Sequence, residues 1–388
     1  MPNKIFIYLL YFGLFAFYIV TPLILSKLDY QAPQIELTHG YDEEISYILD
    51  NIELIFSQFF FLVIIFLFYF ITFFLLSKIT RYIDAHTERN VNYEVNKVIM
   101  LLVLPCSILL IFDLIEIFNF IKEINFTINE YRNEIYYKFL DKKKTYINIL
   151  IVLTPIIFNE YRKISLFIYL QIIIYCLLSL SRFELILLFL VHANLNFKIN
   201  YKILFFLMII LLIIVNLRTL IFYDINFSFY YFQTIFNQNI GEPIHVFLSN
   251  MTAIQYIKDI TFYEYISHNM KFLCNNLFYT NYEVINISKQ SIIFFQNNKN
   301  YIRMFSVSGF SSILMFFPIF VIQLIVMYFL SKKIENKQIL KAYTFFLLLF
   351  LFRGNFVHIG LFLVKLSLLI ILLLWIIKKM RLLNFKAE

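Results

Sequence analysis

The chain has 388 residues, a hydrophobic content of 61% and a formal net charge of +8, with a mean hydropathy of +0.77. Soluble domains are about 45–50% apolar, so the composition excludes an ordinary soluble protein and predicts an all-α protein that crosses a membrane several times. The surplus of lysine and arginine does not indicate nucleic-acid binding, because in such proteins these residues mark cytoplasmic loops. The abundance of Phe, Tyr, Ile, Asn and Lys is typical of an AT-rich bacterial gene.

The first third of the chain alternates between apolar spans and loops of opposite charge. Residues 5–25 are apolar and are followed by no small-residue cleavage site, so they predict a first span and not a signal peptide. The acidic segment 26–53 belongs outside and the basic segment 78–97 inside, with 54–77 and 98–118 as the next two spans. This order places the N-terminus in the cytoplasm.

The long apolar segment 165–195 decides the topology of the rest. As one helix its residues would extend about 46 Å, whereas the hydrocarbon core of a bilayer is only about 30 Å thick. Two short spans joined by a tight turn at Ser179–Arg182 fit better. This hairpin places Lys198, the basic segment 332–341 and the basic tail in the cytoplasm, whereas a single span would place all three outside. The sequence therefore predicts that Arg182 lies at the outer face.

The chain then divides into three parts. We expect the first seven membrane helices in 1–222, a large periplasmic loop in 223–305, and three more helices with a cytoplasmic tail in 306–388. The loop has balanced charge and is rich in Phe, Tyr and Asn, so short helices in it can lie on the membrane face. Pro318 predicts a kink in its span. The predicted total is about ten spans with both termini in the cytoplasm, and no internal repeat is visible, which argues against a transporter. The later spans are predicted at 146–159, 203–222, 306–330, 342–352 and 356–377, besides the hairpin.

Arginine is concentrated on the side of the membrane where positive charge is disfavoured. Five of the nine arginines lie outside or at outer ends of spans, although Arg132 follows only if the lysine-containing segment 119–145 is external. Arginine binds phosphate through a planar fork of donors, so such a cluster suits a diphosphate head group. The alternative is that these side chains reach anionic lipid or pair with Glu184 or Glu242. The five are Arg132, Arg182, Arg218, Arg303 and Arg353.

Candidate acid–base residues lie mainly in the large loop. Glu242 stands in a Gly-Glu-Pro turn near His245, and His268 follows in the same loop. Each is alternatively an ordinary loop residue. Glu184 is more plausibly the structural partner of Arg182 than a catalyst, and Asp113 near a span end has a plain interfacial explanation. The sequence contains no Gly-rich phosphate loop, GxSxG, HExxH, CxxC or Asp-x-Asp pair, so no metal and no cofactor is predicted.

Taken together, these features resemble the Wzy-type O-antigen polymerases over most of the chain. The resemblance rests on Ser181-Arg182 in a hairpin between two spans, on Arg218 closing the span before the large loop, on Arg353-Gly354 in the last external turn, and on Arg132 in NEYRNEIYY. One departure concerns the acidic residue. Many relatives carry a glutamate six residues before the glycine that opens the span after the loop, and here Arg303 stands six before Gly309.

The resemblance implies a membrane glycosyltransferase with a GT-C-like architecture at the periplasmic face of the bacterial inner membrane. Its substrate would be an oligosaccharide repeat unit on undecaprenyl diphosphate, and a chain-length-determining co-polymerase would be its protein partner. The competing classes are an O-antigen ligase, which also has a large external loop, and a lipid-linked oligosaccharide flippase, for which two similar halves would be expected. A membrane acyltransferase is a third alternative, but none of the first three spans contains the expected histidine.

Overall fold

The structure is a computed structural model of the chain. It describes residues 12–16, 20–21, 24, 67, 71, 93–123, 145–179, 183–196, 260–278, 280–282, 309–334, 337–352 and 356–384. Every regular element within these residues is a helix, which confirms the all-α prediction. The nine helices with described bounds are α1 (Tyr93–Glu123), α2 (Thr145–Ile157), α3 (Arg162–Leu178), α4 (Phe183–Asn196), α5 (Phe262–Phe278), α6 (Gly309–Met315), α7 (Phe317–Ile334), α8 (Lys337–Phe352) and α9 (Phe356–Asn384).

Two of the described helices are long and apolar enough to cross a membrane by length and composition. These are Glu94–Lys122 in α1, with 29 residues, and Val357–Met380 in α9, with 24 residues. Both exceed the roughly 20 residues that a bilayer requires. Three shorter apolar helices lie at Thr145–Ile157, Phe183–Ala193 and Phe317–Leu330. The total of about ten spans and the GT-C-like architecture remain predictions.

The predicted break within 165–195 is confirmed. Helix α3 ends at Leu178 and α4 begins at Phe183. The hydroxyl of Tyr169 lies 2.7 Å from Nδ1 of His192, and these residues are equally far from the break, nine before Leu178 and nine after Phe183. Equal spacing on the two sides of a break is the property of an antiparallel pair. The segment is therefore a hairpin of two short helices and not one long helix.

Helices α1 to α4 pack as neighbours that alternate in direction. Asn96 Nδ2 donates to Glu160 Oε1 at 2.7 Å, and Ser107 Oγ donates to Gln171 Oε1 at 2.8 Å. Both pairs are separated by 64 residues, so α1 and α3 run parallel. Helix α2 contacts α1, α3 and α4 and is buried at every residue from Leu150 to Ile157. A predominantly apolar helix in contact with three neighbours is the expected core of such a bundle.

The chain divides into two compact units, each built from several segments. One comprises Met1–Arg81, Phe236–Leu330 and Leu347–Lys365, and the other comprises Tyr82–Ile235, Ser331–Phe346 and Leu366–Glu388. The bundle of α1 to α4 belongs to the second unit. The first unit contains α5, α6, the larger part of α7 and the first part of α9. It therefore contains His268 of α5, which is the one predicted loop histidine within the described residues.

A break near Pro318 agrees with the predicted kink. Helix α6 ends at Met315, α7 begins at Phe317, and Phe316 forms the turn between them. Proline has no N–H and its ring collides with the carbonyl four residues before it. Here that carbonyl belongs to Leu314, so the break leaves a backbone acceptor that the helix itself cannot satisfy.

Candidate functional site

Helix α5 is the described part of the large loop, and its start is set by a local motif. The sequence Thr261-Phe-Tyr-Glu264 is a capping box. The Thr261 backbone N–H donates to Glu264 Oε2 at 3.0 Å, the Glu264 N–H donates to Thr261 Oγ1 at 3.3 Å, and the Thr261 hydroxyl donates to Glu264 Oε2 at 2.7 Å. These bonds satisfy the first N–H groups of the helix, so α5 begins at a defined residue.

The first half of α5 docks on the break between α6 and α7. The Tyr265 hydroxyl donates to the Leu314 carbonyl at 2.7 Å and accepts from the Phe317 N–H at 3.2 Å. Asn269 Nδ2 donates to the Met315 carbonyl at 3.1 Å. The loop helix therefore supplies the donor that Pro318 lacks, together with an acceptor for the first N–H of α7. The rings of Phe272 and Phe316 stack beside these bonds with centroids 3.9 Å apart.

The second half of α5 is held by a lysine of α9. Lys365 Nζ donates to the Asn276 carbonyl, which is one of the last four carbonyls of α5 and lies at the negative end of the helix dipole. Lys365 was not among the predicted site residues. The signal was present, because a lysine inside the apolar run 356–377 is costly in a membrane and marks a specific contact.

The start of α9 is fixed on α6 and α7, directly after the predicted external turn at Arg353. The Val357 N–H donates to Ser312 Oγ at 3.0 Å, and Gln323 Nε2 donates to the Val357 carbonyl. Gly360 permits this contact, because a Cβ there would stand 2.5 Å from Gln323 Oε1. The first turn of α9 is therefore held by two buried polar side chains, Ser312 and Gln323.

His268 lies on a polar face of α5 with Glu264 and Lys271. Partial burial lowers the pKa of His268 below its ordinary value, the positive charge of Lys271 lowers it further, and Glu264 opposes both effects. Nδ1 of His268 is shielded from solvent and has no hydrogen-bond partner. The hydroxyl and backbone N–H of Thr261 lower the pKa of the exposed Glu264 carboxyl. At neutral pH the His268 imidazole is therefore uncharged and able to accept a proton.

A second polar group lies in the other unit, beside the helix break. The carboxyl groups of Glu184 in α4 and Asp113 in α1 both act electrostatically on the Tyr175 hydroxyl of α3. Asp113 and Glu184 are half-buried and Tyr175 is buried. Two acidic side chains from different helices thus influence the same buried tyrosine. Periodicity could not reveal this, because Asp113 and Glu184 are 71 positions apart.

A buried histidine on α4 was also missed. His192 accepts or donates a hydrogen bond with the Tyr169 hydroxyl and packs edge-on against Phe158, with centroids 4.6 Å apart. The signal was a histidine in an apolar run. Its partners in α3 and in the preceding turn indicate that it joins the two arms of the hairpin.

Of the eight predicted site residues, the structure describes only His268. The other seven lie outside the described residues, so their grouping remains a prediction. Among the residues that are described, no three His, Cys, Asp or Glu side chains are placed to hold a metal ion. The seven are Glu242, His245, Arg132, Arg182, Arg218, Arg303 and Arg353.

Comparisons of the chain with protein-family models, with curated proteins and with solved structures found no match.

Proposed function

We propose that the protein polymerises oligosaccharide repeat units carried on undecaprenyl diphosphate, at the periplasmic face of the bacterial inner membrane. The observation that carries the proposal is the break between α3 and α4. An ionised side chain in the middle of a 31-residue apolar segment would be hard to explain. The end of α3 at Leu178 and the start of α4 at Phe183 support our prediction that Arg182 lies at the end of a hairpin, where a charged head group can reach it.

The proposed reaction is displacement at an anomeric carbon. The acceptor hydroxyl oxygen of one lipid-linked unit bonds to the anomeric carbon of the growing glycan. The bond from that carbon to the diphosphate oxygen breaks, and undecaprenyl diphosphate leaves with the electron pair. Arginines fixed near the leaving diphosphate stabilise the charge that develops on it. We assign this role to Arg132, Arg182, Arg218, Arg303 and Arg353.

The proton of the acceptor hydroxyl goes to a general base in the large loop. Glu242, His245 and His268 are the candidates. Support for His268 comes from its lowered pKa, which keeps the imidazole neutral at the pH of the reaction. Its position on α5, a helix anchored at Tyr265 and at Asn276, also supplies the fixed placement that a base requires.

Two other activities share part of this pattern. An O-antigen ligase would transfer the glycan to a lipid A core and not to a second lipid-linked unit. A flippase would move the lipid-linked unit across the membrane and would have less use for a structured external helix such as α5. We propose a polymerase with a chain-length-determining co-polymerase as partner, because the arginine pattern in the hairpin and in the last external turn resembles that class.

A surface-glycan gel tests the proposal. We expect a deletion strain to show a band of core plus one repeat unit, whereas loss of a ligase or flippase leaves core alone. We expect Arg182→Ala and Arg353→Ala to abolish the long-chain ladder while the protein remains in the membrane. Arg381→Ala, in the predicted cytoplasmic tail, is the matched control and should leave the ladder intact. Normal ladders from both external variants would overturn the site assignment.

A further inference from the structure

Helix α5 has a face that its neighbours leave uncovered. The docked side recurs at Tyr265, Asn269, Phe272 and Asn276, which is one side of a helix with about 100° between residues. Next to it runs a stripe of large apolar side chains, defined here as the α5 stripe. Its members and their exposed fractions are Phe262 (81%), Tyr263 (82%), Ile266 (37%), Met270 (55%) and Leu277 (41%).

The third side of α5 is polar. Glu264, His268, Lys271 and Asn275 follow one another at intervals of three and four residues, on the side away from the α5 stripe. The helix therefore presents a docked side, an apolar side and a charged side. In a helix of the protein core, the docked and apolar surfaces form one continuous face. A helix at a membrane surface instead has an apolar side opposite a charged side.

The contacts of α5 also fix its depth. Its first half touches α7 at Phe317, and its second half touches α9 at Lys365. Lys365 follows Val357 by eight residues, which is about 12 Å along a helix. Val357 begins the apolar stretch of α9 that is long enough to cross a membrane. The C-terminal end of α5 thus meets α9 well inside the end of its apolar stretch.

Helix α7, which α5 contacts through Tyr265, also has an exposed apolar surface. Phe317, whose N–H donates to Tyr265, is itself 45% exposed. It is followed along α7 by exposed Val321, Ile322, Ile325 and Phe329. The sequence predicts a span at 306–330, so we expect acyl chains to cover this surface of α7 and to reach the stripe on α5.

We propose that α5 is embedded in the outer leaflet of the membrane, with the α5 stripe against lipid acyl chains and the Glu264–His268–Lys271 side towards water. The occupant of the stripe is bilayer lipid. This proposal does not depend on the sugar-transfer activity proposed above, because it rests on the surfaces of α5 and on its packing against α7 and α9. It assigns the loop helix a fixed height in the membrane, and hence a fixed height for His268.

Fluorescence quenching in nanodiscs tests the proposal with the full-length protein. Trp375 is the only tryptophan, so a Trp375→Phe background allows single probes. Met270→Trp places the probe on the stripe, and Lys271→Trp, one residue away, places it on the charged side. Lipids brominated near the glycerol end of the acyl chain should quench the Met270→Trp probe at least about twofold more strongly than the control probe, because such helices bury their apolar side by about 5–10 Å.

Iodide in the buffer should give the reverse order. Equal quenching of both probes by iodide, without quenching by brominated lipid, would overturn the proposal. A Met270→Trp probe shielded from both quenchers, with cross-linked dimers between Met270→Cys copies, would replace lipid by a second copy of the chain. Ile266→Trp on the α5 stripe and His268→Trp on the charged side form a second pair, which keeps the test decisive if either of the first variants fails to fold.

Discussion

Replacement of Tyr265 by phenylalanine tests the role of α5 at the helix break. The ring remains, so packing against α7 changes little, and only the hydroxyl is lost. That hydroxyl donates to the Leu314 carbonyl at 2.7 Å and accepts from the Phe317 N–H at 3.2 Å. The Leu314 carbonyl has no substitute donor within its own helix, because Pro318 has no N–H.

The two lost hydrogen bonds set the expected magnitude. A hydrogen bond contributes about 1 kcal/mol net in water-soluble proteins, and a buried group left unpaired costs about 1–3 kcal/mol. Interhelical hydrogen bonds in membranes contribute about 0.6 kcal/mol on average and about 1.7 kcal/mol at most. We therefore expect Tyr265→Phe to weaken docking of α5 by about 1–3 kcal/mol. Hydrogen exchange of the α5 amides in nanodiscs should accelerate by about 5- to 150-fold, because about 1.4 kcal/mol corresponds to a factor of ten.

A double-mutant cycle separates repair of the break from general packing. In a Pro318→Ala background the alanine N–H can bond to the Leu314 carbonyl, so Tyr265→Phe should then cost less than half as much. The difference between the two backgrounds is the coupling free energy. An equal effect of Tyr265→Phe in both backgrounds would refute the reasoning. Ser267→Ala, on the side of α5 away from Tyr265, is the control for unspecific loosening of the helix.

Two further predictions concern Gly360 and His268. Gly360→Ala brings a Cβ within 2.5 Å of Gln323 Oε1, so the Gln323 side chain must leave the Val357 carbonyl. Thermal denaturation in detergent should show a loss of stability of about 1–2 kcal/mol. In a Gln323→Ala background the same glycine replacement should be nearly neutral. Burial and Lys271 lower the pKa of His268 in the folded protein, so the undocked state binds the proton more readily. Docking of α5 should be strongest above the ordinary pKa of about 6.5 and weaken as the pH falls below it. His268→Gln should remove this dependence in exchange rates corrected for intrinsic pH effects, and a dependence that persists in His268→Gln would contradict it.

The sequence predicted the helical class, the break at Ser179–Arg182 and the kink near Pro318 for clear physical reasons. Segment length against bilayer thickness determines the first break, and the chemistry of one residue type determines the second. The sequence did not predict the contacts between helices. Periodicity identifies an apolar side but not the neighbour that covers it, so the hydrogen bond from Tyr265 to Leu314 could not be foreseen.

Polar residues inside apolar runs were the signal left unused. His192, Gln323 and Lys365 each interrupt an apolar helix, and each makes a specific hydrogen bond in the structure. A membrane interior penalises unpaired polar groups, so such interruptions mark helix–helix contacts even when the partner is unknown. The predicted external arginines lie outside the described residues, so their contacts remain a prediction.

The buried helix α2 has a consequence for how the protein is made. With 13 residues it extends about 20 Å, less than the hydrocarbon thickness of about 30 Å, and its contacts come from α1 before it and from α3 and α4 after it. A segment this short is held poorly by lipid alone. During synthesis α2 therefore reaches its final environment only after the hairpin of α3 and α4 has left the ribosome, so assembly of this unit follows translation of Asn196 and does not proceed one helix at a time.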